Sequence, residues 1–166
     1  MSRNTFDAEL REIIQRDNSL IEFSEGQVWK VKNREILWDK LGSRLYDEHL
    51  DAVKKISVKV LSERDPKFEL PPEKRFYANL EGKTLAHSPE IRTNLAETLA
   101  LLGNRYEALP NCTPGKPQGS ALVAVREIFA DSDWQLWGTL NHLLPTLAEA
   151  APREFIRAVE SALADP

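Results

Sequence analysis

Hydrophobic residues recur at helical spacing along most of the chain, and the clearest example is the stretch 88–104, SPEIRTNLAETLALLGN. Ser88 is a favourable N-cap, and Pro89 at the first helical position gives up no hydrogen bond. Gly103 follows the last apolar residue and predicts a left-handed stop. The pattern therefore predicts a helix central to packing, without a chemical role. Its apolar stripe, expected to be buried, consists of Ile91, Leu95, Leu99 and Leu102.

The same period predicts helices on both sides of this stretch. An amphipathic segment at the start of the chain carries Phe6, Leu10, Ile13 and Ile14 on one side. The predicted helices are 5–15, 33–41, 47–63, 73–80, 120–130, 133–147 and 152–163, and Pro145 should kink or restart the sixth of these near Leu144. Apart from the stripe of 88–104, the residues expected on their inner faces include Ile36, Leu37, Trp38, Leu41, Leu50, Val53, Ile56, Val60, Leu61, Phe76, Tyr77, Leu80, Leu122, Val125, Ile128, Phe129, Trp134, Trp137, Leu140, Leu143, Leu144, Leu147, Phe155, Ile156, Val159 and Leu163.

Two other patterns interrupt the helices. Residues 20–23 and 27–31 alternate as short strands do, and the turn 24–26 between them contains a glycine, which predicts a β-hairpin packed against helices. Prolines in 64–72 break the helical pattern and favour extended backbone. The longest irregular stretch is 105–119, with three prolines and two glycines.

These elements predict a mainly α fold: an α-solenoid-like array of about six to eight helices with a small N-terminal β-hairpin. We expect a single domain over 1–166, with two sub-layers over 1–103 and 120–166 joined by the loop 104–119.

Composition narrows the class of protein. No apolar run approaches the ~20 residues of a membrane span, so no membrane partner is expected. The single cysteine, Cys112, excludes an internal disulfide and fits a reducing cytoplasm. The net charge of −4 disfavours a general nucleic-acid binder. Residues 52–92 carry a local charge of +3 and residues 120–166 one of −4, which we interpret as solvated helix faces, with an electrostatic docking surface as the alternative.

Two short segments resemble phosphate-binding loops and fail on inspection. Glu81-Gly82-Lys83-Thr84 would need a glycine where Tyr77 stands, and a hydrophobic strand before the loop. Pro114-Gly115-Lys116-Pro117 has a proline where the motif requires serine or threonine. Neither segment predicts nucleotide binding.

Other candidate sites are equally weak. His49, His87 and His142 are far apart and lack metal-ligand spacing, and the acids around His49 suit helix capping better than a metal. Cys112 has no base near it in sequence, and no serine lies in an elbow such as GxSxG. Trp134 and Trp137 share a helix face and could anchor an interface, although a core role is commoner. We therefore assign no catalytic, cofactor-binding or metal-ligating residue, and expect no cofactor.

Three stretches nevertheless resemble a segment of very large bacterial signal-transduction NTPases of the STAND (NACHT-like) type. They are LWDKLGSRLYDEHLDAVKKISVKVLSERDPKFELPPEKRFYANLEGK (37–83), HSPEIRTNLAETLALLG (87–103) and WQLWGTLNHLLPTLAEAAPREFIRAVESAL (134–163). In that family a similar segment follows the nucleotide-binding region and begins a helical repeat array that detects a trigger, and the family is thought to include defence sensors. The resemblance implies a fragment from the middle of a longer protein, and it assigns no nucleotide-binding residue.

The first expectation is a non-enzymatic, cytoplasmic helical scaffold and recognition domain of such an NTPase, which contacts a protein partner or other domains of the same polypeptide. The alternative is a free-standing interaction or regulatory protein that binds through the 104–119 loop and the Trp134/Trp137 face. A small helical enzyme with scattered acids would require a cleft holding two carboxylates with perturbed pKa values.

Overall fold

Helices supply most of the secondary structure in the computed structural model, which describes residues 20–24 and 28–164. The α-helices are α1 (Arg34–Leu41), α2 (Asp47–Leu61), α3 (Pro89–Asn104), α4 (Lys116–Phe129), α5 (Trp134–Leu140), α6 (Leu144–Ala150) and α7 (Pro152–Ala164). The 3₁₀ helices are Gly42–Arg44, Pro66–Glu69, Pro72–Glu81 and Tyr106–Ala108. The mainly helical fold class is thus confirmed. None of the described helices has the length and apolar character needed to cross a membrane.

Two short strands, β1 (Ile21–Ser24) and β2 (Val28–Val31), precede the helices. They pair antiparallel, with Ile21 opposite Val31 and Ser24 opposite Val28. The residues 25–27 between them are outside the described part of the chain, as is the helix predicted over 5–15.

Helix α3 occupies the centre of the helical body, as its pattern predicted. It packs against α2, α4 and α6, while α7 covers α4 and α6. Leu99 and Leu102 of α3 are fully buried, together with Ala96. They belong to one hydrophobic cluster that also includes Leu50, Leu61, Leu109, Ala121, Ala124, Val125, Ile128, Phe129, Leu136, Leu140, Leu143 and Leu147.

The buried face of two helices differs from the predicted one. Ile91 was expected in the stripe of α3, but its side chain is 48% exposed, and the neighbouring Arg92 points inward. In α2 the half-exposed residue is Ile56, while Ser57 is fully buried. At position 57 a small side chain lets the helices approach closely, whereas the long Arg92 side chain is buried because the Val60 carbonyl and Glu63 bind its guanidinium. The inward face therefore lies one position away at both sites.

Gly103 is also misassigned by the pattern, because it is helical and α3 continues to Asn104. A Cβ at position 103 would overlap the carbonyl oxygen of Ala150 in α6. The glycine is therefore required for close helix packing rather than for a left-handed stop. Among the described glycines, only Gly82 and Gly115 have positive φ angles.

Several predicted boundaries change toward the end of the chain. Helix α4 begins at Lys116 and not at Ser120, directly after Gly115, so the irregular stretch is shorter than predicted. The restart near Leu144 is confirmed, with Pro145 in the first turn of α6. The outer positions Leu122, Trp134, Ile156 and Leu163 are exposed and not buried.

The short helix α1 starts where predicted, with the side chain of Asn33 accepting a hydrogen bond from the Ile36 amide. Its apolar residues are less buried than expected, because Ile36 and Leu41 are exposed. Trp38 is the residue that packs against the core, and its indole Nε1 donates to the Arg105 carbonyl at 3.1 Å.

Candidate protein-binding surface

The proline-rich stretch after α2 forms two 3₁₀ helices instead of extended backbone and an α-helix. Pro66 starts the first one after Asp65, whose carboxylate accepts a hydrogen bond from the Lys67 amide at 3.0 Å. The second, Pro72–Glu81, ends at Gly82, which has a φ of 70°. The prolines stand at the start of both helices, where the fixed φ angle is favourable, and i→i+3 hydrogen bonds follow, such as the one from the Lys74 amide to the Pro71 carbonyl at 2.9 Å.

Polar contacts fix this stretch against the start of α5. The amide of Asp65 donates to Thr139 Oγ1 at 2.8 Å. Arg64 donates through Nε to the carboxylate of Asp133 at 2.7 Å, and through Nη2 to the Asp131 carbonyl at 2.6 Å. The ring of Phe68 fits against Gly138, where a Cβ would lie 2.8 Å from it. The first 3₁₀ helix therefore has a defined position on the helical body.

The second 3₁₀ helix turns most of its apolar residues to solvent. Phe76 is 90% exposed, Leu80 84% and Tyr77 55%, although the sequence predicted them on an inner face. Only Ala78 of this helix is buried. Tyr77 and Leu80 lie three positions apart, which places them on the same side of a 3₁₀ helix. The ring of Phe76 meets that of Tyr77 edge-on at 5.3 Å.

Arg75 connects this exposed row to Trp134, which is 58% exposed at the start of α5. The guanidinium carbon of Arg75 lies 5.3 Å from the centroid of the Phe68 ring and 5.4 Å from that of Trp134. The two rings are themselves 5.3 Å apart and nearly perpendicular. We call Phe76, Tyr77, Leu80 and Trp134, with Arg75 between them, the aromatic surface. Trp, Tyr and Arg are the residue types that dominate binding energy at protein interfaces.

Charged residues flank the aromatic surface in equal numbers of each sign. Within the described chain, the side chains of Glu73, Lys74 and Glu81 form no ion pair, and Arg75 has no acidic partner. The helix Pro72–Glu81 thus presents two acids and two cations without partners of opposite charge.

The tryptophan pair considered from sequence occupies two different environments. Trp137 is half-buried and packs against Phe129 at 4.6 Å and Phe155 at 6.0 Å, ring to ring. Trp134, three residues earlier, belongs to the aromatic surface. The two rings therefore do not form a common exposed face.

The irregular stretch before α4 is attached to the first turn of α2. The amide and the hydroxyl of Thr113 donate to the carboxylate of Asp47 at 2.9 and 2.6 Å. These hydrogen bonds lower the pKa of Asp47. Burial raises the pKa of the neighbouring Cys112 thiol, which donates to the Leu45 carbonyl. Here the acid at the start of α2 holds the loop, while His49 Nδ1 accepts from the Tyr46 amide at 3.1 Å and so caps the helix.

A buried charged network that sequence reasoning missed joins α2 to α3. The side chain of Arg92 is 1% exposed, and its Nη1 donates to the Val60 carbonyl at 2.7 Å and lies 3.4 Å from Glu63 Oε2. His87 Nδ1 lies 3.1 Å from the same carboxylate oxygen. Burial alone would raise the pKa of Glu63, but hydrogen bonds from Ala86 and His87 and the charge of Arg92 lower it. Burial also lowers the pKa of Arg92. Arg92 lies beside the predicted stripe and not in it, so the sequence carried no local signal of its inward side chain.

An open cleft of about 1250 Å³ lies between the start of α1 and the outer sides of α3 and α6. Both arginines that line it are paired: Arg34 with Glu97 at 2.7 Å, and Arg105 with Glu35 at 2.8 Å. Hydrogen bonds to Asp39 raise the pKa of Arg105. These pairs fasten α1 to α3 and leave the cleft walls mixed in charge. In the described part of the chain, no three or more His, Cys, Asp or Glu side chains are grouped as a metal site would require.

No protein-family model, curated protein or solved structure matches this chain. The strongest candidate site is therefore the one that geometry selects, the aromatic surface.

Proposed function

We propose that this chain is a non-catalytic helical scaffold and recognition domain that binds protein through the aromatic surface. The observation that carries the proposal is the 90% exposure of Phe76, with Leu80 and Tyr77 exposed beside it. Removing apolar surface from water stabilises a complex by roughly 25 cal/mol per Å². Contiguous exposed apolar patches of this kind mark interaction sites on soluble proteins.

Contacts around the aromatic surface support the proposal, because they hold the surface in place before a partner binds. Arg64, Asp65 and Phe68 attach the first 3₁₀ helix to the region of α5, and Arg75 of the second 3₁₀ helix lies against the rings of Phe68 and Trp134. A surface held in place before binding loses less conformational entropy in the complex. Arg75, Trp134 and Tyr77 also supply the residue types of binding hot spots.

The wider setting that we propose is a large bacterial STAND-type NTPase of the cytoplasm, in a sensing or defence role. The aromatic surface belongs mostly to the stretch 37–83, one of the three that resemble the helical segment of that family. We place the described helices in an α-solenoid-like array with the short hairpin at its start. Helices stacked on neighbours in this way bury a continuous core and leave an extended outer surface for recognition.

Site-specific photo-cross-linking tests the proposal. A photoreactive phenylalanine analogue at position 76, in the full-length protein in its native cell, should give a discrete protein adduct, because Phe76 would lie within the interface. The matched control is the same analogue at Ile156, which is exposed on α7 and outside the aromatic surface. Equal adduct patterns at both positions, or none at position 76, would overturn the assignment.

A free-standing interaction protein is the second proposal, and Trp134 is the feature that favours it. The sequence alone predicts that such a protein would bind through the 104–119 loop and through both Trp134 and Trp137. Trp137 packs on Phe129 and Phe155, so in this reading Trp134 and the loop would make the contact. An analogue placed at Pro114, which is exposed in the loop, would give the stronger adduct in this case.

A further inference from the structure

We propose that the partner of the aromatic surface is a second copy of this chain, paired about a two-fold axis through the helix Pro72–Glu81. The inference rests on the proposed function, since it names the partner of the same surface. A two-fold interface requires a patch that is complementary to itself in shape and in charge.

The order of charges along the 3₁₀ helix meets that requirement. Lys74 and Arg75 stand near its start and Glu81 stands at its end, all without partners of opposite charge in the described chain. Two such helices aligned antiparallel about an axis near Tyr77 and Ala78 bring Lys74 close to Glu81 of the partner subunit. The two-fold axis generates this pair of Lys74 and the partner's Glu81 a second time.

Apolar residues meet in the same alignment. Phe76 comes opposite Asn79 of the partner subunit, one position from the partner's Leu80, and the rise of about 2 Å per residue in a 3₁₀ helix keeps Phe76 within side-chain reach of that leucine. Tyr77 lies close to the axis. The most exposed side chains of the surface would thus be covered by one another.

The available area suits a weak dimer. An aromatic side chain can bury roughly 150–250 Å², and the exposed fractions of Phe76, Tyr77 and Trp134 then give roughly 400 Å² per copy. With Leu80 included, two copies reach about 1,000 Å², the lower bound for a specific interface. We expect a weak dimer, with a dissociation constant on the order of micromolar, because the interface is at the lower end of the specific range.

The equal numbers of acidic and basic residues in the helix Pro72–Glu81 favour a second copy of this chain over a partner that is strongly acidic or strongly basic. A partner of strongly acidic or basic character would leave either Glu73 and Glu81 or Lys74 and Arg75 facing like charge. A second copy offers both signs, and the antiparallel alignment places Glu81 of the partner subunit beside Lys74, while Arg75 stays against the rings of Phe68 and Trp134.

Sedimentation velocity over a range of micromolar concentrations tests the inference. The wild-type chain should pass from monomer to dimer. Phe76→Ser/Leu80→Ser should weaken association at least about tenfold, because two apolar anchors are lost from each copy. Ile156→Ser, an exposed apolar residue on α7, is the matched control and should dimerise as the wild type does. A wild-type monomer throughout the range, or equal weakening by Ile156→Ser, would overturn the proposal.

A charge exchange tests the alignment itself. Lys74→Glu and Glu81→Lys should each weaken the dimer about threefold to tenfold, and the double variant should recover wild-type affinity, because the pair is restored with its signs exchanged. Failure of the double variant to recover overturns the antiparallel pairing. Circular dichroism confirms that each variant is folded.

The cross-linking experiment separates this inference from the proposed function. An adduct at position 76 that contains two copies of the chain supports both. An adduct with a different protein, together with a monomer in sedimentation, refutes the second copy and leaves protein recognition standing.

Discussion

Arg92 holds the end of α2 against the start of α3. Its Nη1 donates to the Val60 carbonyl in the last turn of α2, one of the carbonyls that has no partner within its own helix. Glu63 supplies the opposite charge, and His87 and Ala86 fix that carboxylate from the loop before α3. A buried guanidinium of this kind stabilises the junction only while its acid is ionised.

We expect Glu63→Gln to destabilise the fold by about 2 kcal/mol near neutral pH, because it leaves Arg92 buried without an opposite charge. The pKa of Glu63 is lowered in the folded state, so its contribution is present above the unfolded value and lost as the pH falls through the folded one. Urea unfolding at several pH values measures this. The difference between wild type and variant should shrink in acid, as the Glu63 carboxylate becomes protonated.

The matched control at this scale is Glu127→Gln. Glu127 is exposed on α4 and forms no ion pair with any described residue, so we expect no pH-dependent difference. An equal and pH-independent effect of both substitutions would refute the role given to Glu63.

Single residues also show how far sequence can predict burial. Leu99 and Leu102 were predicted in the core and are there, because large apolar side chains seldom stay in water when a helix face is covered. Arg92 was not predicted, since its burial depends on Glu63 and the Val60 carbonyl, which lie about thirty positions earlier in the chain. A partner supplied by another element leaves no local signal.

At the scale of elements, α3 and α6 pack closely because position 103 is a glycine, which has no side chain. Gly103 lies against the carbonyl of Ala150, and a Cβ at this position would overlap that oxygen. Helix axes approach closely only where small residues meet.

Gly103→Ala should therefore cost about 2–4 kcal/mol of stability, because α3 and α6 must separate. Gly119→Ala is the control: it is within α4, a Cβ there meets no atom within 4 Å, and its φ is not positive. We expect that substitution to be neutral or to stabilise by up to ~1 kcal/mol. Urea unfolding distinguishes the two variants, and equal stabilities would contradict the packing role of Gly103.

The residues at which helices start were predicted more accurately than the side of each helix that is buried. Asn33, Ser88 and Asp133 cap α1, α3 and α5 through their side chains, since an N-cap is a local interaction among neighbouring residues. The 3₁₀ geometry of Pro72–Glu81 was not predicted, because the helical spacing of apolar residues specifies neither the type of helix nor whether another element covers its apolar side. For the same reason, the exposure of Phe76 and Leu80 had no signal in sequence.

At the scale of the whole molecule, helical periodicity was enough to predict the mainly helical class and the central place of α3. The candidate site was not predicted, because apolar residues in a helical pattern were assigned to the core. Nothing local distinguishes Phe76, which faces water, from Phe129, which is buried between helices. The solenoid arrangement and the relation to STAND-type NTPases remain proposals at this scale.

Photo-cross-linking from Tyr77, compared between the wild-type background and Phe76→Ser/Leu80→Ser, tests the recognition role most directly. Tyr77 lies between the two substituted side chains, and all three are exposed, so the fold should tolerate the change. The proposal predicts that the adduct yield falls at least about tenfold, because the apolar anchors of the interface are gone. An unchanged yield in the double variant would contradict it.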